Sequence, residues 1–290
     1  MEIKKAVIPV AGWGTRSLPA TKNVPKEMLP IFRKPIVQYI VEEGIEAGLS
    51  DVVFVTNQNK TIIEDHFDRN FLLEQLLERA GKTTLLEEVR RVAGLVNVIG
   101  VRQKEQLGLG HAVLTAREVC KNEPFAVMLG DDLMFGVHTG IGELIKAAKE
   151  TGKAVVGVIE VPEHKVSKYG IIKGERIDQH TYKVTELVEK PAVKDAPSNL
   201  AIIGRYVLLP EIFDILEGQR AGVGGEIQLT DALQGLADQD KLIAVKLGGQ
   251  RFDAGDWVEY LTANIYFALQ DEELRDDLVK RLKELLPCSS

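Results

Sequence analysis

Cysteine is almost missing from the 290 residues: only Cys120 and Cys288 occur. Two thiols that far apart provide neither a disulfide framework nor a zinc-binding spacing. Long apolar runs are missing too, and nothing approaches the ~20 residues needed to cross a bilayer. The chain opens on Glu2-Ile3-Lys4-Lys5, not on the apolar region of a signal peptide. A cytoplasmic location without membrane association is therefore expected. An excess of basic charge is absent as well: the net charge is −7 and the pI about 5.4. That disfavours nucleic acid as a general partner. No linker rich in Gly, Ser or Pro, no low-complexity tract and no solenoid-type repeat breaks the chain. With 45% hydrophobic and 27% charged residues the composition is that of an ordinary globular protein.

Residues 6–30, AVIPVAGWGTRSLPATKNVPKEMLP, organise what is there. Residues 6–10 form a short apolar run, as in a buried strand of a parallel sheet. A turn follows, Ala11-Gly12-Trp13-Gly14-Thr15-Arg16, and then Lys22, Lys26 and Glu27 among prolines at 19, 25 and 30. The prolines argue against a helix directly after the turn. Glycines that let backbone N–H groups approach a ligand, followed by a rigid basic loop, suit the binding of phosphates. A P-loop would need Gly-Lys-Ser/Thr, which is absent, and a dinucleotide fingerprint would need a third glycine where Ser17 stands.

Downstream, strands are expected at 52–56, 96–101, 125–129 and 154–161, with helices at 35–47, 60–67, 112–119 and 138–151. Strands alternating with helices indicate a doubly wound α/β sheet. Residues 71–93 form two amphipathic helices broken at Gly81, whose leucine stripes are expected to be packing faces. An oligomer contact is the alternative. From 169 to 207 the texture changes to strands with few helices, an antiparallel or mixed patch. Helices at 210–216 and 226–237, a strand at 242–247 and a turn at 252–256 follow. Asp256 is placed to cap a helix running to about 269, and a last amphipathic helix at 274–286 is expected to dock on the body or on another subunit. One domain with embedded subregions is the simplest organisation.

Ligands of open α/β sheets bind beyond the C-terminal ends of strands. Asp131 and Asp132 follow such a strand, and Asp253 lies in a later turn. Carboxylates there can hold Mg²⁺ over a phosphate, or serve only as caps and solvated turn residues. Gln103 can pair with a pyrimidine edge that Gly108 lets the backbone approach, although the same residues suit a surface loop. His111 has no nucleophile context. Glu189 and Lys190 would point to opposite faces of a continuing strand unless Pro191 redirects them.

The segment 12–30 resembles the signature of the sugar-nucleotide pyrophosphorylases, G-x-G-T-R-x-x-P-x-T-x-x-x-P-K-x-x-x-P. All nine fixed positions are present: Gly12, Gly14, Thr15, Arg16, Pro19, Thr21, Pro25, Lys26 and Pro30. Its Pro-Ala-Thr-Lys and Pro-Lys-Glu-Met-Leu-Pro variant, with 199–206 and 225–231, is similar to the bacterial UTP–glucose-1-phosphate uridylyltransferases. The resemblance spans about 4–266, and it implies a nucleotide-binding part at about 1–135 and a sugar-phosphate-binding part at about 136–270 of the one domain, with the C-terminal helix at 271–290. It implies a Rossmann-like, mainly parallel mixed sheet flanked by helices, with UTP and glucose 1-phosphate as substrates and Mg²⁺ as cofactor. It also implies a homo-oligomer, dimer or tetramer. Carried onto this sequence, Arg16, Lys26 and Lys190 are catalytic. Ala11, Gly12, Gly14, Thr15, Glu27, Gln103 and Gly108 bind nucleotide. Gly170, Glu189, Asn199 and Glu226 bind sugar, and Asp131 and Asp253 bind metal. A thymidylyltransferase and a silent nucleotide-sugar sensor are the alternatives. A nicotinamide-dependent enzyme is disfavoured by Ser17 and Pro19.

Overall fold

The computed structural model describes residues 1–136 and 140–285. The start of the helix expected from His138, the end of the last helix at Leu286, and Cys288 lie outside the described residues.

Strand β1 (Lys5–Pro9) is buried where the sequence is continuously apolar. After the glycine turn and two single turns of 3₁₀ helix, a short ribbon of β2 (Pro30–Ile31) and β3 (Lys34–Pro35) leads into α1 (Ile36–Glu46). Then come β4 (Asp51–Thr56), α2 (Thr61–Asp65), α3 (Phe71–Arg79), α4 (Thr83–Ala93) and β5 (Asn97–Arg102). The expected helix at 112–119 is two pieces, α5 (Leu109–Thr115) and α6 (Arg117–Cys120), before β6 (Phe125–Met128). Next are β7 (Asp132–Phe135), α7 (Gly140–Thr151), β8 (Ala154–Glu160), β9 (Gly170–Arg176), β10 (Thr181–Glu189) and β11 (Leu200–Leu208). The chain ends with α8 (Ile212–Gly218), α9 (Leu229–Ala237), β12 (Leu242–Lys246), β13 (Gln250–Asp253), α10 (Trp257–Ala268) and α11 (Arg275–Leu285).

The main sheet runs β5-β4-β1-β6-β11-β8-β12-β10-β9. The first four strands are parallel, and β11 enters antiparallel to β6. The mixed patch expected from 169 onward is β9, β10 and β11. Because β9 also pairs with the start of β11, the strands β11, β8, β12, β10 and β9 close on themselves. Side-chain alternation splits the core between the two sheet faces: Ala6, Ile8, Val52 and Phe54 on one, Val7, Val53 and Val55 on the other.

Two expectations are corrected. Residues 252–256 are not only a turn: Phe252 and Asp253 end β13, which pairs antiparallel with β7 and sets Asp253 opposite Asp132. The leucines of α3 are not a packing face: Leu72, Leu73 and Leu76 are exposed, whereas Leu86 and Val92 of α4 are buried. α4 buries Leu86 and Val92 but leaves Leu85 exposed, and α3 buries only Glu74. At the C-terminal end no residue of α11 is fully buried: Leu278 and Leu282 are half-buried, and Leu274 and Leu285 are exposed. Asp256 does cap α10, accepting from the Val258 N–H at 3.0 Å and the Glu259 N–H at 3.3 Å. Among the described residues no helix is long and apolar enough to cross a membrane.

Candidate active site

The C-terminal ends of β1, β4, β5 and β6 point the same way, and the residues after them form one face. Beyond β1, the Asn57 side-chain amide donates to the Ala11 carbonyl at 2.7 Å and ties the turn to the end of β4. Gly14 takes a left-handed φ of 65°, which a side chain would resist. Its carbonyl accepts from the Ser17 N–H at 3.0 Å and the Thr21 hydroxyl at 2.7 Å. The N–H groups of Gly12, Trp13 and Gly14 find no acceptor among the described residues. Consecutive free N–H groups on a turn form a nest for an anion.

The 3₁₀ turn Lys26–Met28 delivers Lys26 onto the carboxylate of Asp131, just past β6. Arg16 stands 3.9 Å from the same oxygen. Burial opposes the Lys26 charge, but the carboxylates of Asp131 and Glu27 outweigh it and raise its pKa. Asp131 is held below the usual carboxylate range: burial would raise it, and the Lys26 and Arg16 charges prevail. Glu27, expected to bind nucleotide, is instead fully buried beneath the loop. One of its oxygens accepts from Lys60 at 2.9 Å and the other has no partner among the described residues. Burial pushes Glu27 up and Lys60 down. The Glu27 carboxylate thus adds to the charge that raises Lys26.

The β7–β13 ribbon brings the later acid to the first. The Ala254 N–H donates to the Asp131 carbonyl at 2.8 Å, and the Gly255 N–H donates to the Asp253 carboxylate at 2.9 Å. Burial and then the neighbouring Asp131 charge raise Asp253. Asp132 is committed elsewhere. Its carboxylate takes a bidentate bond from Arg251, both at 2.8 Å, and the Gly204 N–H at 3.0 Å. Of the tandem acids, Asp131 is thus the one that joins Lys26, Arg16 and Asp253 in one cluster. Arg251 also donates to the Tyr169 hydroxyl at 3.2 Å. The fully buried Arg205 joins Glu43 of α1 to the Asp132 carbonyl, at 2.8 and 2.7 Å.

At the end of β5, the buried Gln103 amide donates to the Gly108 carbonyl at 3.3 Å and pairs with His111 Nδ1 at 3.0 Å, so His111 orients Gln103. Gly108 has φ 96°, and a Cβ there would lie 2.8 Å from the Cβ of Glu226. Glu226, expected beside the sugar, therefore packs against the Gln103–Gly108 end. On the far side, Gly170 of β9 pairs with Glu189 of β10. Glu189 accepts from the Thr230 hydroxyl at 2.6 Å. Lys190 adopts φ 46°, and this kink returns its ammonium to within 3.4 Å of Glu189, so the two heads meet where a continuing strand would separate them. Asn199 is exposed just before β11, and its carbonyl accepts from the Val161 N–H at 3.0 Å.

Sequence reasoning missed Lys60, Arg251, Thr230 and Asn57. Each acts through a partner at least 33 residues away, as Lys60 does on Glu27, so no local spacing announces it.

The nucleotidyl transferase family model matches residues 5–269, which include every one of these groups. UTP–glucose-1-phosphate uridylyltransferase 2 of Staphylococcus saprophyticus is 52% identical over 98% of this chain and 98% of its own. A crystal structure of UDP-glucose pyrophosphorylase complexed with UDP-glucose superposes with a TM-score of 0.85 at 42% identity, covering 93% of this chain and 100% of that one. The UTP-bound enzyme from Acinetobacter baumannii gives 0.90 at 41% identity over 98% and 100%. A free-N–H glycine turn, its basic loop and two facing acids at the strand ends, within a match of this length, make the chain a member of the nucleotidyl transferase family.

Proposed function

We propose that the protein transfers the uridylyl group of UTP to glucose 1-phosphate, giving UDP-glucose and pyrophosphate. The observation that carries this reading is the Arg16–Lys26–Asp131 cluster set beside a turn with three free N–H groups. The names of the close relatives support the choice of substrates.

An oxygen of the sugar phosphate attacks the α-phosphorus in line. The bond from that phosphorus to the bridging oxygen breaks, and pyrophosphate leaves with the electron pair. The nucleophile is already an anion, so no general base is required, and catalysis is positioning plus charge neutralisation. The turn and Arg16 and Lys26 hold the triphosphate and its leaving group. Lys190 holds the attacking phosphate against its own repulsion, and Glu189, oriented by Thr230, accepts from sugar hydroxyls. Gln103, aimed by His111, reads the pyrimidine edge beside Gly108. Asp131 and Asp253 fit Mg²⁺: both are hard oxygen donors, burial and then the Asp131 charge raise Asp253, and this cation needs few carboxylates when phosphates complete its shell. When bound, it supplies charge neutralisation on phosphate oxygens.

The test is pyrophosphate release from UTP or dTTP with glucose 1-phosphate. UTP should be preferred by ~10–200-fold, the discrimination a single methyl group allows. Equal or better turnover of dTTP would make the protein a thymidylyltransferase. Tight UDP-glucose binding without any pyrophosphate release would make it a sensor.

A further inference from the structure

A pocket of about 350 Å³ lies beyond the ends of β4 and β5, lined by Trp13, Asn57, Gln58 and Gln103 among others. Two bonds fix its walls. The Asn57 amide ties the Ala11 carbonyl to the end of β4, and the Gln103 N–H donates to the Thr56 carbonyl at 2.9 Å. The turn that carries Trp13 and the strand end that carries Gln103 thus flank Asn57. Gln103 offers this pocket one defined group. The Gly108 carbonyl can only accept, so the side-chain atom 3.3 Å from it is the amide nitrogen, and the same nitrogen meets His111 Nδ1 at 3.0 Å. The Gln103 Oε1 has no hydrogen-bond partner among the described residues. Trp13 is 58% exposed, and its indole has neither a ring contact nor a hydrogen bond among the described residues. The other tryptophan, Trp257, packs against Tyr260 with ring centroids 5.8 Å apart. Trp13 also borders a second pocket of about 670 Å³ beside Leu18, Lys22 and Val24, so its indole stands between two cavities, of which only the first holds Gln103.

An exposed, unpacked indole on a fixed turn, bordering the same pocket as a buried amide with an unused acceptor, suits a flat ring that carries a donor on its edge. We propose that Trp13 is the stacking platform for the nucleotide base: the pyrimidine lies on the indole, and the Gln103 Oε1 accepts from its ring N–H. The inference rests on the uridylyl-transfer reading and divides the base site between two residues. Stacking on an aromatic ring contributes affinity whichever base is bound, because every base has a π-face. Selection is left to the Gln103 oxygen. An acceptor there suits the N3–H of uracil, whereas cytosine presents an acceptor at N3 and would leave both groups unpaired. Trp13 also carries one of the free N–H groups of the phosphate-binding turn, so its ring is within a nucleotide's reach of the triphosphate.

The experiment joins fluorescence to initial-rate kinetics. In Trp257→Phe the remaining indole is Trp13. UTP without glucose 1-phosphate should quench its emission, whereas inorganic tripolyphosphate, which offers the phosphates without a base, should not. Trp13→Ala should raise the KM for UTP about tenfold, within the range that loss of one base–aromatic stack produces. The KM for dTTP should rise by the same factor, with that for glucose 1-phosphate held. Trp13→Phe, which keeps a ring, should stay near the wild-type value. Because the indole is exposed and unpacked, its removal opens no cavity in the core. Equal quenching by tripolyphosphate and UTP overturns the stack, and so does a UTP KM within about twofold of wild type in Trp13→Ala. A wild type that releases no pyrophosphate from UTP and glucose 1-phosphate fails the underlying reading, and the quench by UTP still decides the stack.

Discussion

Replacing Arg251 with Met tests the ribbon that sets the two acids side by side. Arg251 is 15% and Asp132 6% exposed, and the pair is bidentate at 2.8 Å on both bonds. Removal of the guanidinium leaves the Asp132 carboxylate buried with only the Gly204 N–H. Stranding one partner of a buried pair costs about 3–5 kcal/mol, and in a chain of this size that lowers the melting temperature by roughly 6–10 °C. Because Asp253 lies in register with Asp132, loosening the ribbon should also depress kcat. The substrate KM values should move less. Thermal melts and steady-state rates on Arg251→Met, Asp132→Asn and the double variant supply the cycle. The double variant should lose less than the sum of the singles, by about 1–3 kcal/mol. A melting temperature within ~2 °C of the wild type for Arg251→Met, or strict additivity, would refute the reasoning.

Three further outcomes are expected. Lys26→Ala should lower turnover by about 10²–10³-fold with an unchanged far-ultraviolet circular dichroism spectrum, and a near-normal rate would sink its assignment. Thr230→Val removes the 2.6 Å bond to Glu189 and should raise the KM for glucose 1-phosphate severalfold while leaving that for UTP in place, as initial-rate kinetics would reveal. Hydrogen bonds from Arg69 and Arg90 pull the Glu74 carboxyl down to about 2. Its folded pKa is depressed, so its contribution is present above the unfolded carboxylate pKa of about 4.3 and is lost as pH falls toward 2. Melts between pH 6 and pH 3 should show a shallower acid loss for Glu74→Gln than for the wild type, and identical slopes would count against the pairing.

Much of this molecule can be read from local pattern. The apolar run before Gly12, the alternation of strands with helices, and the prolines after the turn depend on neighbours a few residues away. Period and turn chemistry therefore reveal β1, α1, β4 and the glycine turn. The nine signature positions lie within a single stretch, so their spacing is legible without any distant contact. β7 and β13 were missed because each is only four residues long and is stabilised by the other across more than a hundred residues of chain. The leucines of α3 misled for a related reason. A helical stripe records that a face is apolar, not which helix of a hairpin faces the sheet.

Local sequence alone settles the α/β class, the glycine turn with its basic loop and the kinds of group available for chemistry, because those rest on covalent geometry and on charges close together along the chain. The tertiary structure alone decided their division of labour. It gave Asp132 to Arg251 and left Asp131 to face Asp253, buried Glu27 on Lys60, moved Glu226 to the Gln103–Gly108 end, and folded Lys190 back toward Glu189. Each of these choices depends on which distant group wins a buried carboxylate or an ammonium, and that competition is settled only when the strands have taken their register.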